Sequence, residues 1–180
     1  MGGRTEMSGF LPVFSPKKVP LSACLILITL MTSGFEQSTV RVEPTDSVGP
    51  RVMEKQTETA VVQDYLGAWQ SLTRAMQENK ADGLDAYFVG VAKEKLADTI
   101  REQAKLGIQT RYQDQGHNLH FLFYSPEGLS IQLEDTVEYD VQIVDHDKVQ
   151  GIQHVHSRYV AVLTPTEVRW KVRIFEEVPE

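Results

Sequence analysis

The sequence predicts an α+β domain in which N-terminal helices pack on one side of a curved antiparallel sheet. Three observations carry this. Apolar residues recur at spacings of three and four from Val61 to Met76. After Gly107 the chain switches to alternation with period two. The two patterns do not intermix, so helices come first and strands follow, as in layered α+β folds.

Three parts are expected along the chain, namely a targeting segment over residues 1–34, a linker over 35–53 and one domain over 54–180. Lys17 and Lys18 precede an apolar run from Leu21 to Met31, and small residues (Thr32, Ser33, Gly34) follow it. A basic flank, a short apolar run and small residues describe a secretory signal with cleavage after Gly34. A retained membrane anchor over residues 19–35 is the alternative, although the run is shorter than the roughly 20 residues of a span. "LSAC" resembles a lipoprotein box, but Cys24 precedes most of the apolar run instead of following it. Either reading exports the rest of the chain to a periplasmic or other extracytoplasmic site, or holds it at the inner membrane. Removing residues 1–34 leaves 15 basic and 24 acidic side chains, a net charge of −9, and no cysteine. Such a charge argues against nucleic acid as a partner, because phosphate binding needs clustered Lys and Arg.

The 180 residues, 41% of them hydrophobic, suffice for one domain with a real core. A first helix is expected over Glu54–Asn79, with Val61, Tyr65, Ala68, Trp69, Leu72 and Met76 on its inward stripe. A short helix over Leu84–Phe88 follows. A third, over Val91–Leu106, turns Leu96, Ile100 and Ala104 inward and ends on Gly107.

Ile108–Tyr112 and Asn118–Tyr124 read as one long or broken strand, and "SPEG" (Ser125–Gly128) as a type I turn. Strands over Leu129–Val144, Val149–Leu163 and Glu167–Phe175 complete a meander. A one-residue slip exchanges the faces of a strand, so register can be tested by chemistry. A three-residue loop at His146–Lys148 sets Tyr139 opposite Val155, Leu133 opposite Ala161 and Asp135 opposite Tyr159. The same choice puts His154, His156 and Arg158 on the other face beside Asp140, Glu138 and Thr136. A two-residue loop at Pro165-Thr166 pairs Leu163, Ala161 and Tyr159 with Val168, Trp170 and Val172.

The order of elements, the first-helix stripe Tyr65–Phe88, and the closing strands His156–Glu177 together resemble the nuclear transport factor 2-like superfamily. Within those strands Trp170-x-Val172 follows Arg158-Tyr159-x-x-x-Leu163. That superfamily includes SnoaL-like proteins and ketosteroid isomerases. The resemblance covers Glu54 to Glu177. The helix-then-meander order is also similar to the intermembrane-space domain of plastid and cyanobacterial division proteins. The resemblance implies a cone with an apolar pocket, and it implies either a binding module or a small-molecule enzyme. It also implies a homodimer through the outer sheet face, where Ile152, Val160, Val162 and Phe175 would be buried.

Asp135 interrupts an otherwise apolar face of "SIQLEDTVEYDVQIV". Burial would raise its pKa and suit it to act as a general base, with Tyr159 as hydrogen-bond donor to a developing oxyanion. That is the isomerase or dehydratase reading. Ketosteroid isomerases also need a second, protonated acid, and no residue here fills that role; His120 is a poor substitute. The structural reading weighs more, since one carboxylate is not a mechanism. It gives Asp135 either a place at a β-bulge or a satisfied Asp–Tyr hydrogen bond.

Tyr65, Trp69, Tyr87, Tyr112, Tyr139 and Trp170 are the candidates to line a pocket for an apolar small molecule, with simple core packing the competing reading. His154-x-His156 beside Glu138 and Asp140 has metal-ligand chemistry, but a solvated strand face has the same pattern, so no metal site is assigned. His117, His120 and His146 have no defined partner set, and no cofactor is implied. The expected function is an exported or membrane-anchored, non-catalytic module of the bacterial envelope that binds an envelope protein or a small molecule.

Overall fold

A computed structural model describes residues 38–44 and 51–178. The expected signal or anchor lies outside the described residues. Eight elements follow one another: β1 (Thr39–Val42), α1 (Lys55–Glu78), a 3-10 helix (Asp82–Ala86), α2 (Gly90–Lys105), β2 (Ile108–Tyr124), β3 (Ile131–Asp145), β4 (Lys148–Pro165) and β5 (Trp170–Val178). They form one five-stranded sheet in the order β1-β2-β3-β4-β5. Among the described residues no helix is long and apolar enough to cross a membrane.

The stretch expected to be linker carries β1, which runs parallel to β2 with Thr39 beside Gly116 and Val42 beside Leu119. Its four residues are almost entirely exposed, so no apolar period marks it. Gly116 makes the approach possible. A Cβ there would stand 2.8 Å from Thr39 Oγ1 and 3.1 Å from its carbonyl oxygen, closer than van der Waals contact allows.

α1 matches its expected bounds within a residue at each end, and all six stripe residues are buried. It ends on Asn79 in the left-handed conformation (φ 54°). The Asn79 amide donates to Ile108 O, and the buried Gln103 amide donates to Met76 O and Asn79 Oδ1. These bonds tie the ends of α1 and α2 to the start of β2. Gln103 takes the inward place on α2 that sequence spacing gave to Ala104, which is exposed. Gly107, at φ 70°, stops the helix as expected.

β2 is a single strand with bulges at Asp114/Gly116 and Phe121/Phe123. Between β3 and β4 the expected pairs hold: Tyr139 with Val155, Leu133 with Ala161, Asp135 with Tyr159. The turn that sets them is different. Asp145 pairs with Lys148 across a two-residue turn, His146-Asp147, and a bulge at Gln150 restores the shift that a three-residue loop would have given.

The β4–β5 register departs from expectation. Leu163 pairs with Val172, Pro165 with Trp170 and Ala161 with Phe175. The loop is Thr166–Arg169, closed by Thr166 N–H and Oγ1 donating to Arg169 O. Val168 therefore sits in the loop, 81% exposed. A bulge at Arg173 flips the rest of β5, so Phe175 faces the core instead of the outer surface. Val160, Val162 and Ile174 remain outside, with Ile152 well exposed.

Candidate functional site

α1 packs on one face of the sheet, and its stripe meets the inward residues of β2 and β3. Tyr65 and Trp69, one turn apart, project onto Asp135 and His117. The Tyr65 hydroxyl donates to Asp135 Oδ2 at 2.9 Å. His117 Nδ1 meets the same oxygen at 2.6 Å, and its Nε2 meets Asp114 Oδ2 at 2.9 Å. The side chains of His117 and Asp135 are fully buried, whereas Asp114 reaches toward solvent.

A carboxylate only accepts, so a ring held between two of them donates from both nitrogens, which is the arrangement that the imidazolium form satisfies. Burial alone would lower the His117 pKa. The hydrogen bonds and charges of Asp114 and Asp135 outweigh it and push the pKa up to about 9. Burial, followed by the Asp135 charge, raises Tyr65 well above the ordinary phenol value. This is a continuous polar network of Tyr65, Asp135, His117 and Asp114, running from the buried Asp135 to the partly exposed Asp114. Asp135 Oδ1 and Asp114 Oδ1 are buried without a hydrogen-bond partner, so the network is held through the two Oδ2 atoms.

Asp135 and Tyr159 are opposite in the ladder, as expected, but they do not form the expected hydrogen bond. Tyr159 Oη meets Tyr139 Oη at 3.2 Å, and its ring stacks on Phe175 at 4.8 Å. Burial, then the Tyr139 hydrogen bond, raises the Tyr159 pKa. β3 shows no bulge at Asp135; its partner is Tyr65, from the helix layer.

Sequence reasoning assigned no partners to His117. A signal was present, because His117, Leu119 and Phe121 alternate with polar neighbours. The bulge before Gly116 shifts the phase of β2, so Tyr112 and Asp114 face inward on even numbers and His117 on an odd one.

Most of the aromatic candidates pack on one another. Trp69 touches the rings of His117 (5.3 Å), Tyr139 (6.1 Å), Tyr159 (5.3 Å) and Phe175 (5.4 Å). Tyr112 packs on Tyr139, and Trp170 on Tyr124. Burial pushes the Tyr112 phenol up to about 12. Tyr87 differs. It lines a cavity of about 420 Å³ between α1 and the 3-10 helix, with Gln70, Arg74 and Lys80 at its rim, and the Arg169 guanidinium lies 4.5 Å above its ring. A second cavity, about 340 Å³, lies between β1 and β4 and is lined by Arg41, Asn118, Glu138 and His156, among others.

His154 and His156 lie on the outer face, each beside an acid of β3: His154 Nδ1 to Asp140 at 2.9 Å, His156 Nδ1 to Glu138 at 3.4 Å. Among the described residues no group of three or more His, Cys, Asp or Glu side chains is gathered to hold a metal.

No family model matches the chain, and no curated protein matches it in sequence. Solved structures do resemble it. The intermembrane-space region of the chloroplast protein ARC6 superposes with a TM-score of 0.58 at 16% identity, over 72% of this chain and all of that one. A Novosphingobium aromaticivorans protein named as an aromatic ring hydroxylase gives 0.50 at 14% identity, over 71% of this chain and 94% of that one. A Streptomyces avermitilis protein named as a dehydratase of the NTF2-like family gives 0.46 at 13%, over 68% and 98%. The helices on an open, mixed five-stranded sheet, together with the superpositions on the ARC6 region and the hydroxylase, give one conclusion: the chain has an α+β fold of the nuclear transport factor 2-like cone type.

Proposed function

We propose that this chain is a non-catalytic binding or protein-interaction module, exported to the bacterial envelope or anchored there. The observation that supports it is the state of Asp135. A general base must reach the proton that it abstracts. Asp135 is fully buried, its Oδ2 is engaged by both Tyr65 and His117, and the Trp69 ring packs against His117. The acid is spent on joining α1 to the sheet. Concave surface is offered instead at the cleft between α1 and the 3-10 helix, beside Tyr87. Export is supported by Lys17-Lys18 and the apolar run Leu21–Met31, and by the likeness to a domain named for an intermembrane space.

Asp135→Asn tests the module reading. As a structural acid, Asp135 should cost about 3 kcal/mol when its charge is removed from the buried His117 pair. Unchanged stability in urea, together with lost turnover of an isomerase or dehydratase substrate, would show a catalytic base and reject the module. Export is tested by N-terminal sequencing of protein from fractionated cells. A start after residue 34 marks a cleaved signal and an intact Met1 in the membrane fraction marks an anchor, whereas recovery wholly from the cytoplasm rejects export.

A further inference from the structure

The cleft between α1 and the 3-10 helix has fixed walls. Ser71 Oγ donates to Gly83 O at 2.7 Å, which ties the 3-10 helix to α1. Tyr87 lies against the α1 backbone, since a Cβ on Gly67 would stand 2.5 Å from its Cε1. Glycine is unfavourable inside a helix, and here its bare backbone admits the ring. The volume, about 420 Å³, is that of a small-molecule site. Its charges are unpaired. α1 and α2 carry six basic residues; Lys55, Lys93, Lys95, Arg101 and Lys105 each form an ion pair, and Arg74 alone does not. Glu78 is one turn further along the same helix, a spacing that allows pairing, yet the two do not meet. Lys80 and Asp82, where the chain crosses to the 3-10 helix, also have no side-chain partner among the described residues. Two cations and two carboxylates, all exposed, therefore line one cleft, with Ala75, Ala86 and Tyr87 as its apolar part.

We infer that this cleft binds a zwitterionic small molecule of the α-amino-acid type with an apolar side chain. A simple anion would meet Glu78 and Asp82, and a simple cation would meet Arg74 and Lys80. A ligand that carries both charges opposes neither pair. The planar fork of Arg74 suits a carboxylate, and Lys80 adds a second positive charge beside it. The ligand ammonium then goes to Glu78 and Asp82, and its side chain to Ala75, Ala86 and the Tyr87 ring. Because Ser71 and Gly67 already hold the walls, little ordering is left for binding to impose. The inference rests on the binding-module reading and gives that module a ligand class.

Calorimetric titration of the full chain with L-phenylalanine tests this. A Kd of about 1 mM or tighter is expected for a ligand of this size. 3-Phenylpropionate lacks the ammonium and phenethylamine lacks the carboxylate, so each leaves charges of the cleft unmatched and should bind at least about tenfold more weakly. Arg74→Gln and Glu78→Gln should each weaken L-phenylalanine by a similar factor, whereas Lys105→Gln, outside the cleft, should bind as the wild type does. Circular dichroism confirms that each variant is folded. Absence of binding at several millimolar overturns the inference. So does an analogue that binds as tightly as L-phenylalanine, or an Arg74→Gln protein of unchanged affinity. Proton NMR of the ligand after incubation keeps the two readings apart: an unchanged amino acid supports both, whereas its conversion rejects the non-catalytic module and leaves the site standing. Failure to bind rejects the site alone, and Asp135→Asn still judges the module.

Discussion

The imidazole of His117 and the carboxylate of Asp135 meet at 2.6 Å with neither side chain exposed to solvent. A charged pair at this depth is costly to leave half made, and Asp114 and Tyr65 extend it through the two Oδ2 atoms. The network joins three places distant in sequence: α1, the bulged part of β2 and the middle of β3. It fixes where the helix lies on the sheet.

The pH dependence of stability should report this pair. The folded-state pKa of His117, about 9, lies above the ordinary 6.5, so its contribution is fully present below about pH 6.5 and is lost as pH rises through about 9. The expected fall is of order 3 kcal/mol across that window. His117→Gln should be less stable than wild type at pH 6 and should lose most of the slope between pH 6.5 and 9. Urea denaturation at a series of pH values checks both, and an unaltered slope in the variant would assign it to other groups.

The β3–β4 turn holds His146 at φ 46° and Asp147 at φ 61°, both left-handed. Two positive angles are the type I′ arrangement that favours Asn-Gly. Replacing His146-Asp147 by Asn-Gly should therefore stabilise the chain by about 1 kcal/mol. The lost His146–Asp145 contact is exposed and contributes little. Thermal melts of the two proteins decide it; a lower midpoint would show that the turn side chains matter more than the backbone.

The β4–β5 register makes opposite statements about two apolar residues. Phe175 stacks on Tyr159 and meets Trp69 and Phe88 edge to face, so Phe175→Ala should cost about 3 kcal/mol. Val168 stands in the loop, and Val168→Ala should stay within about 0.5 kcal/mol of wild type. Equal costs in chemical denaturation would restore the shorter loop.

Much of the fold was legible because its signals are local or periodic. The α1 stripe is a continuous apolar row, and Asn79 and Gly107 mark helix ends through their φ values. The β3–β4 register could be read because Asp140, Glu138, His154 and His156 must share a face. The β4–β5 register could not. Setting Leu163 opposite Val172 instead of Val168 shifts the strand by four residues, and an even shift leaves every residue up to the Arg173 bulge on its original face. Alternation is blind to such an error. Phe175 was misplaced because a single bulge reverses all that follows, and β1 was missed because an exposed edge strand buries nothing that patterning can register. The buried network was half visible: Asp135 announced itself by breaking an apolar face, whereas His117 was hidden by the phase change at the β2 bulge. Tyr65 looked like one more aromatic on the helix stripe.

Gly116 ties the identity of one residue to the presence of β1 beside it. As Thr39 stands, its Oγ1 and carbonyl oxygen crowd the place where a Cβ at 116 would sit. A homologue that keeps β1 in this place and carries a side chain at the position of Gly116 must turn or replace the Thr39 side chain and let the β1 backbone move by a few tenths of an ångström. A residue larger than glycine at that position together with an unchanged threonine at the position of Thr39 would mark a relative whose β1 sits farther from the sheet.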